Sequence, residues 1–599
     1  MSNKILTGNE AISRGFWEGG GMIASSYPGS PTVQILDSLK QYEEIYSDWG
    51  TNEKVAMEIA MGASIAGART MISMKHVGMN IASDPFMTFT QTKTKGGLIV
   101  VVGDDPGLSS SQNEQDSRFW GKFANIPILD PSSPQEAKDF AMEGLKLSEK
   151  FNTPVLIRIM SKLCHSRAAV ELGSREESIP EGFVPEQGRY SMLPPYSNLQ
   201  QYFMKERMEK LQIFNEEYEY NYLEEGKGKE FLIITSGLMY ESLKELELES
   251  ISILKLGMIW PLPIEKIKEL SKEYTNIIVL EELLPFMEEE LKVNGITAKG
   301  KDYFSFAGSL TTYDVKRGLK KAGILVDYTD IESPQEDEII TRTPMLCSGC
   351  PHRPIFHILK ANNATVIGDI GCYSLGINEP FEVHKTNISM GASLGMALGV
   401  ATVHSKIKKE KSIVATIGDG TFFHSGMTGF IQLAKTTENI TVIVMDNRTT
   451  AMTGGQNTPT TGDYFKEELG YHASIPDILK SFGISDITVV DQFKYKETKE
   501  AIHSAMKRPG LCVVVTTRPC ALNFKIKSPH FYVDEDLCIS CKNCIRTNCP
   551  PISMKMYPGK KKKNSYINPD MCVGCSVCSQ VCPVSAIKCS TENEQKEVN

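Results

Sequence analysis

Residues 412–450 read SIVATIGDGTFFHSGMTGFIQLAKTTENITVIVMDNRTT. An apolar run ending at Ile417 turns sharply at Gly418-Asp419-Gly420 and continues with helical periodicity through Phe422, Met427, Phe430, Ile431 and Leu433. A second apolar run, Ile440 to Met445, then ends on Asp446-Asn447. Two strands joined by a crossover helix become parallel neighbours, so Asp419 and Asn447 fall at adjacent carboxyl ends. Open α/β sheets hold ligands there.

A hard divalent cation such as Mg2+ takes oxygen ligands and is held by one or two protein groups plus substrate phosphates. Asp419 and Asn447 supply such a pair. Gly418 and Gly420 let the backbone approach a diphosphate, and the helix beginning near Thr421 offers it free N–H groups. Gly-Asp-Gly followed after 26 residues by Asn resembles the diphosphate-binding motif of thiamine diphosphate enzymes, and by that resemblance Thr449 gives a backbone carbonyl to the metal. A plain strand-Gly-helix turn is the alternative; the spacing and the following Thr453-Gly454-Gly455 weigh against it. Upstream, Ser389 to Gly399 sets small residues four apart on one helix face. Gly391 is read there as a cofactor contact, with tight helix packing as the equal alternative.

At 599 residues the chain is long enough for several domains of ~150 residues each. A net charge of −9 argues against a nucleic-acid binder. No basic segment followed by an apolar one opens the chain, and its most apolar long stretch, Ser389 to Val403, is too short to span a bilayer. A cytoplasmic protein that engages no membrane is expected. Fifteen cysteines in that compartment point to metal or redox chemistry and not to a disulfide framework.

Residues 1–175 alternate strand-like and helical runs, including Met22–Ala24, Thr70–Met74, Leu98–Val102 and Pro154–Ile159, as an α/β domain does. Residues 176–226 are charged and irregular, which reads as a solvated linker with one exposed helix. A second α/β unit, 227–335, has few polar groups at its strand ends and is expected to be a scaffold, with Trp260-Pro261-Leu262-Pro263 as a turn. Residues 340–525 carry the opening stretch.

Residues 530–590 contain Cys538-x2-Cys541-x2-Cys544-x4-Cys549-Pro and Cys572-x2-Cys575-x2-Cys578-x3-Cys582-Pro. Two such runs are the bacterial ferredoxin pattern, in which three thiolates of one run and the fourth of the other hold each cluster. Cys538, Cys541, Cys544 and Cys582 are therefore assigned to one 4Fe-4S cluster, and Cys572, Cys575, Cys578 and Cys549 to the other. A zinc ribbon would close with different spacing and needs no Cys-Pro. The first run has one extra residue before Cys549. Lys560 to Lys563 between the runs reads as a solvated loop, or as a docking patch for an acidic carrier.

Taken together, YPGSPT at 27–32, TNEKVAMEIAMGAS at 51–64, MKHVGMN at 74–80, LCSGCPHRP at 346–354, GDIGCYSLG at 368–376, the Gly-Asp-Gly motif and the terminal cysteines resemble the 2-oxoacid:ferredoxin oxidoreductases, in the branch that acts on aryl pyruvates. The resemblance spans the whole chain. It implies a pyrimidine-binding domain (1–175), a transketolase-C-like domain (227–335), a diphosphate-binding domain (340–525) and a two-cluster ferredoxin domain (530–590), with thiamine diphosphate and Mg2+ between the first and third. It implies oxidation of aryl 2-oxo acids (indolepyruvate, phenylpyruvate) with coenzyme A to aryl-acetyl-CoA, a small (beta) subunit as partner, and ferredoxin as electron outlet. Pyruvate or branched-chain substrates, or an electron-transfer subunit with a vestigial thiamine site, are the alternatives.

By the same likeness Glu53 hydrogen-bonds the aminopyrimidine and shares its proton. Ser30 faces the substrate carboxylate, with His76 and Arg118 as weaker candidates for that site. Cys347, Cys350, Cys372 and Cys520 stand in the order of a third 4Fe-4S cluster of the pyruvate-oxidising relatives; buried free thiols are the alternative.

Overall fold

The computed structural model describes residues 2–324, 344–408, 413–462, 464 and 471–591, and the chain divides into two compact units, Met1–Gln335 and Glu336–Asn599. The expected junction at 335–340 lies outside the described residues, as does Ser412.

In the second unit Ile413–Gly418 and Ile440–Asp446 are parallel, with Ile413 opposite Ile440 and Gly418 opposite Met445. They are central in a five-stranded parallel sheet ordered Thr365–Ile367, Ile413–Gly418, Ile440–Asp446, Leu511–Thr517, Ile487–Val490. Both strands are buried throughout, because helices cover both faces of such a sheet. Alternate residues feed opposite cores: Val442 and Val444 join Leu394, Phe422 and Phe430, while Ile443 and Met445 join Ile355, Phe356 and Ile502. The crossover is not a plain α-helix. A turn at Asp419–Thr421 passes into a π-helical turn, Phe422–Gly426, before Met427–Leu433. Such turns gather at functional sites.

Beyond the sheet, two antiparallel pairs, Phe531–Val533 with Ile587–Cys589 and Ile552–Lys555 with Asn564–Ile567, frame the terminal cysteines. Left-handed residues at Ser540, Lys542, Gly574 and Ser576 wind the chain between successive cysteines.

The first unit has a seven-stranded sheet ordered Met258–Trp260, Ile128–Leu129, Val155–Met160, Leu98–Asp104, Thr70–Lys75, Ile23–Ser26, Tyr46–Trp49, and a four-stranded one ordered Asn276–Leu280, Phe231–Ser236, Ser252–Leu256, Tyr222–Glu224. Three expectations change here. The Trp260 segment is not only a turn: Met258–Trp260 pairs antiparallel with Ile128–Leu129 and so closes the first sheet with residues from the second α/β segment. The segment 176–226 is not a solvated linker, because its helix, Tyr196–Glu216, buries Arg207, Leu211 and Asn215. The Asn215 amide donates to the Met258 carbonyl at 3.1 Å, and Arg207 donates to the carbonyls of Thr90 (2.9 Å) and Asn125 (3.1 Å). Nor are the strand ends of 227–335 apolar, since Glu281 and Glu282, just past Asn276–Leu280, are both 3% exposed. Among the described residues no helix is long and apolar enough to cross a membrane.

Candidate functional site

Asp419 sits at the end of its strand, 1% exposed. Its Oδ2 accepts hydrogen bonds from Thr458 (3.0 Å) and Thr460 (2.9 Å). The side-chain amide of Asn447 lies 2.8 Å from Asp419 Oδ1 and 3.1 Å from the Thr449 carbonyl oxygen. Turned one way, the amide donates its N–H groups to both. Turned the other, its oxygen joins two more oxygens with no proton between them, the donor set of a hard divalent cation. Arg448, between Asn447 and Thr449, takes a left-handed φ of 59° and so aims the Thr449 carbonyl back at the cluster. Burial first, then the neighbouring carboxylate of Asp446, pushes Asp419 up to about 7; burial raises Asp446 too. Two buried carboxyls side by side are the charge pattern that Mg2+ relieves, so these residues fit the metal.

The glycines have a packing reason as well. A Cβ on Gly418 would lie 2.5 Å from the Tyr373 ring, and one on Gly420 would lie 2.8 Å from Thr450 Oγ1. The Tyr373 hydroxyl is 2.9 Å from Thr421 Oγ1 and donates to the Ile370 carbonyl at 2.8 Å. Gly391, read as a cofactor contact, spends its N–H on Asp369 Oδ1 (2.9 Å), while Ser393 N–H donates to Oδ2 (3.0 Å). The buried Asp369 thus occupies that helix start. The small-residue face beyond it is not packed against a helix, for nothing lies within 4 Å of a Cβ built on Gly395 or Gly399.

In the first unit Glu53 begins helix Glu53–Ile65 and is 8% exposed, with the Asn52 side chain as cap accepting from Val55 N–H at 2.9 Å. A Cβ on Gly78 would lie 2.8 Å from Glu53 Oε1, so helix His76–Phe89 passes the carboxylate with bare backbone. Ser30 is half-buried in the turn after Ile23–Ser26. His76 is fully buried, its ring nitrogens 3.2 and 3.0 Å from the carbonyl oxygens of Gly103 and Asn113. It anchors the loop after Leu98–Asp104 and presents no free nitrogen to a substrate.

Arg118 is also fully buried and has a different role from the one expected. Its guanidinium donates to Asp116, to Glu281 and to the carbonyls of Glu282 (2.9 Å) and Leu284 (3.0 Å). With these partners it knots the two α/β segments together. The cation beside the YPGSPT turn is Lys75, which sequence reasoning passed over. A Cβ on Gly29 would lie 3.3 Å from Lys75 Cβ, its Nζ donates to the Ser110 carbonyl, and burial lowers it to about 8.

The terminal cysteines gather around two cavities. Cys538, Cys541, Cys544 and Cys582 line one with Val533, Ile539 and Ile587; Cys549, Cys572, Cys575 and Cys578 line the other with Ile552, Ile567 and Val577. Each gathers the four thiols expected there among largely apolar walls, the second with Cys350 and Arg353 at its edge, which fits a 4Fe-4S cluster. Of the other seven cysteines, Cys347, Cys350, Cys372 and Cys520 also draw together. Burial first, then Cys520 and Cys347, pushes Cys372 up to about 12, and burial with Cys372 and Cys347 nearby raises Cys350. The Cys520 N–H donates to the Asn447 carbonyl at 3.0 Å, which joins this group to the metal loop. Cys350 in turn reaches the wall of the Cys549–Cys578 cavity.

Between the two groups lies Arg353. Its guanidinium donates to the carbonyls of Cys347 (2.9 Å), Thr547 (3.3 Å) and Asn548, leaves Nη2 buried without a partner, and lies in the field of Cys549, Cys350, Cys347 and Cys575.

Comparison with known proteins bears on these sites. Residues 21–226 match the family described as pyruvate flavodoxin/ferredoxin oxidoreductase, thiamine diP-bdg; residues 369–516 match the thiamine pyrophosphate enzyme C-terminal TPP binding domain; and residues 565–588 match the 4Fe-4S binding domain. Indolepyruvate oxidoreductase subunit IorA of Pyrococcus horikoshii is 37% identical, with 98% of this chain and 97% of the relative covered. The chain belongs to the IorA family. The IorA of Archaeoglobus fulgidus is 36% identical over 98% of each chain. The 2-oxoglutarate synthase subunit KorB of the same organism is 27% identical over 31% of this chain and 74% of its own length. As an IorA-family chain it is an oxidoreductase with the thiamine diphosphate-binding and 4Fe-4S-binding domains of 2-oxo acid oxidation.

Several residues near these sites are not singled out by the motifs, although Lys75, Arg353 and Asp369 lie within MKHVGMN, LCSGCPHRP and GDIGCYSLG. What sets Asp369, Asp446, Thr458, Thr460, Lys75 and Arg353 apart is their burial and their partners. The sequence signal that could have found four of them is their place inside or beside a motif, whereas Thr458 and Thr460 carry none.

Proposed function

We propose that this chain is the large subunit of a cytoplasmic enzyme that oxidatively decarboxylates aryl 2-oxo acids such as indolepyruvate and phenylpyruvate to aryl-acetyl-CoA. A small subunit completes the enzyme, and ferredoxin takes the electrons. The observation that carries the reading is the bond from Cys520 N–H to the Asn447 carbonyl, which makes the cation loop and a redox thiol group one structure. The names of the full-length IorA relatives favour the aryl substrate.

Bound thiamine diphosphate supplies a sink for the negative charge that decarboxylation leaves on the substrate. Asp419, Asn447 and the Thr449 carbonyl would hold Mg2+, while Gly418 and Gly420 would leave room for the diphosphate. Glu53 moves a proton to and from the aminopyrimidine, in a wall kept bare by Gly78. Ser30 and Lys75, not Arg118, receive the substrate carboxylate. Three groups of four thiols would hold 4Fe-4S clusters, which take up electrons one at a time, and Cys347, Cys350, Cys372 and Cys520 would hold the one nearest the cation loop.

Steady-state rates of the two-subunit enzyme with aryl, branched and methyl 2-oxo acids test the substrate class. A higher kcat/KM for indolepyruvate than for pyruvate and 2-oxoisovalerate is expected, and the reverse order would overturn it. Iron analysis of fully loaded protein should give about twelve atoms per chain; about eight would remove the third cluster.

A further inference from the structure

A cleft of about 720 Å3 opens between helix His352–Ala361, helix Tyr495–Ala505 and the cysteine-rich segment. Five basic side chains line it, His357, Lys360, Lys496, Lys499 and Arg546, and no carboxylate does. Lys360 is paired with Glu382 at 2.8 Å. Among the described residues Lys496, Lys499 and Arg546 have no ion-pair partner, and all three are exposed. The imidazole of His357, 2.6 Å from the Tyr495 hydroxyl, is held below its ordinary value by burial and then by the charges of Arg546 and Lys499. The cleft is therefore a concave region of positive potential, which steers anionic partners.

Its position tells which anion. Asn543 and Val581 in the lining directly precede Cys544 and Cys582, two of the four thiols around the cavity lined by Cys538, Cys541, Cys544 and Cys582. The thiol groups form a chain, since Cys350 reaches the Cys549–Cys578 cavity and Cys578 lies in the field of Cys544. The cleft adjoins the last member. Its walls are stapled: the Gln580 side chain accepts from Tyr495 N–H at 2.9 Å and donates to the Phe493 carbonyl at 2.7 Å. Lys560, in the loop first considered for docking, is paired with Asp536 at 2.7 Å.

We propose that this cleft docks a small acidic protein that carries one electron. The proposal rests on the function given above, in which electrons leave through the clusters. Cys538, Cys541, Cys544 and Cys582 would hold the cluster nearest the cleft, which when reduced would supply one electron to the docked oxidised carrier and return to its oxidised state. No proton or group moves, and two carriers leave for each two-electron oxidation of substrate.

The test uses the loaded two-subunit enzyme and a triple variant, Lys496→Gln, Lys499→Gln, Arg546→Gln, with indolepyruvate and coenzyme A as substrates. Reduction of an acidic 4Fe-4S ferredoxin is compared with reduction of methyl viologen, a small cation that needs no basic dock. The expected result is a fall of about tenfold in kcat/KM for the ferredoxin, with viologen reduction unchanged. In the wild-type enzyme, ferredoxin kcat/KM should also fall as salt is raised from 50 to 300 mM, and less so in the variant.

Unchanged ferredoxin kinetics in the variant, or no salt dependence in the wild type, would overturn the docking site. So would a rise in the KM for coenzyme A with ferredoxin kinetics intact, which would give the cleft to that phosphate-rich ligand, or release of the small subunit from the variant. Absence of viologen reduction in the wild type would instead count against the enzymatic reading itself.

Discussion

Replacing Asp419 with asparagine should make the cofactor-free chain more stable while abolishing its hold on metal and diphosphate. The buried carboxyl is pushed from its ordinary 3.8 up to about 7, by burial and then by Asp446. Because the folded value is raised, the protonated carboxyl contributes stability that is fully present below about pH 4 and is lost as pH rises through about 7. At ~1.36 kcal/mol per pKa unit the whole gap is about 4 kcal/mol, of which an equal sharing of the charge with Asp446 leaves about 2 kcal/mol to Asp419. Asparagine reproduces the neutral form. Its oxygen can accept from the Asn447 amide, and its NH2 can donate to the hydroxyls of Thr458 and Thr460, which now donate to Asp419 at 3.0 and 2.9 Å. In EDTA, hydrogen exchange of the Ile413–Gly418 amides should be slower in the variant at pH 8, by about thirtyfold or more, and the difference should shrink toward pH 5. Mg2+ with thiamine diphosphate should protect the wild type and leave the variant unmoved. A variant that exchanges faster than wild type at pH 8, or a wild-type strand that gains protection in EDTA between pH 5 and 8, would refute the reasoning.

Removal of Arg118 strands two buried carboxylates, so Arg118→Met should cost about 3–5 kcal/mol in thermal or chemical unfolding, with the KM for the 2-oxo acid unchanged in the folded fraction. Lys75 titrates near 8, so the KM for the 2-oxo acid should rise from pH 7 to 9 as the ammonium is lost; Lys75→Met should show a high KM without that pH dependence. Glu53→Gln should bind Mg2+ and thiamine diphosphate normally in calorimetry and lose a factor of about 100 or more in kcat. Arg353→Gln should lower the midpoint potentials of the clusters nearest Cys350 and Cys549, read by EPR during redox titration, because a buried positive charge no longer favours their reduced, more anionic state. Arg353→Lys should restore most of the shift.

What could be read from the chain beforehand was whatever repeats locally. The Ile413–Asp446 strands, the placement of Asp419 and Asn447 at their ends, and the gathering of the eight terminal cysteines four by four all follow from spacing, because each is set by residues within a few dozen positions of one another. Buried charges were misread because their partners are distant. Arg118 meets Glu281 across 163 residues, so nothing near it in sequence marks it as internal, whereas an Arg in a polar loop looks available to a substrate. The charged segment 176–226 looked solvated for the same reason: Asn215 and Arg207 bury their polar groups on backbone carbonyls, which leave no trace in a hydrophobicity pattern. Thr458 and Thr460 are ordinary residues made significant by their buried bonds to Asp419, while Lys75 and Asp369 stand inside motifs whose other residues drew the reading.

The most direct test of the proposed relay is an anaerobic titration of the enzyme with its small subunit and Mg2+-thiamine diphosphate, following the visible iron-sulfur absorbance while indolepyruvate and then coenzyme A are added. Bleaching that requires the 2-oxo acid, with indoleacetyl-CoA formed after coenzyme A, is the expected result; absorbance that stays unchanged with every 2-oxo acid in fully loaded protein would contradict it.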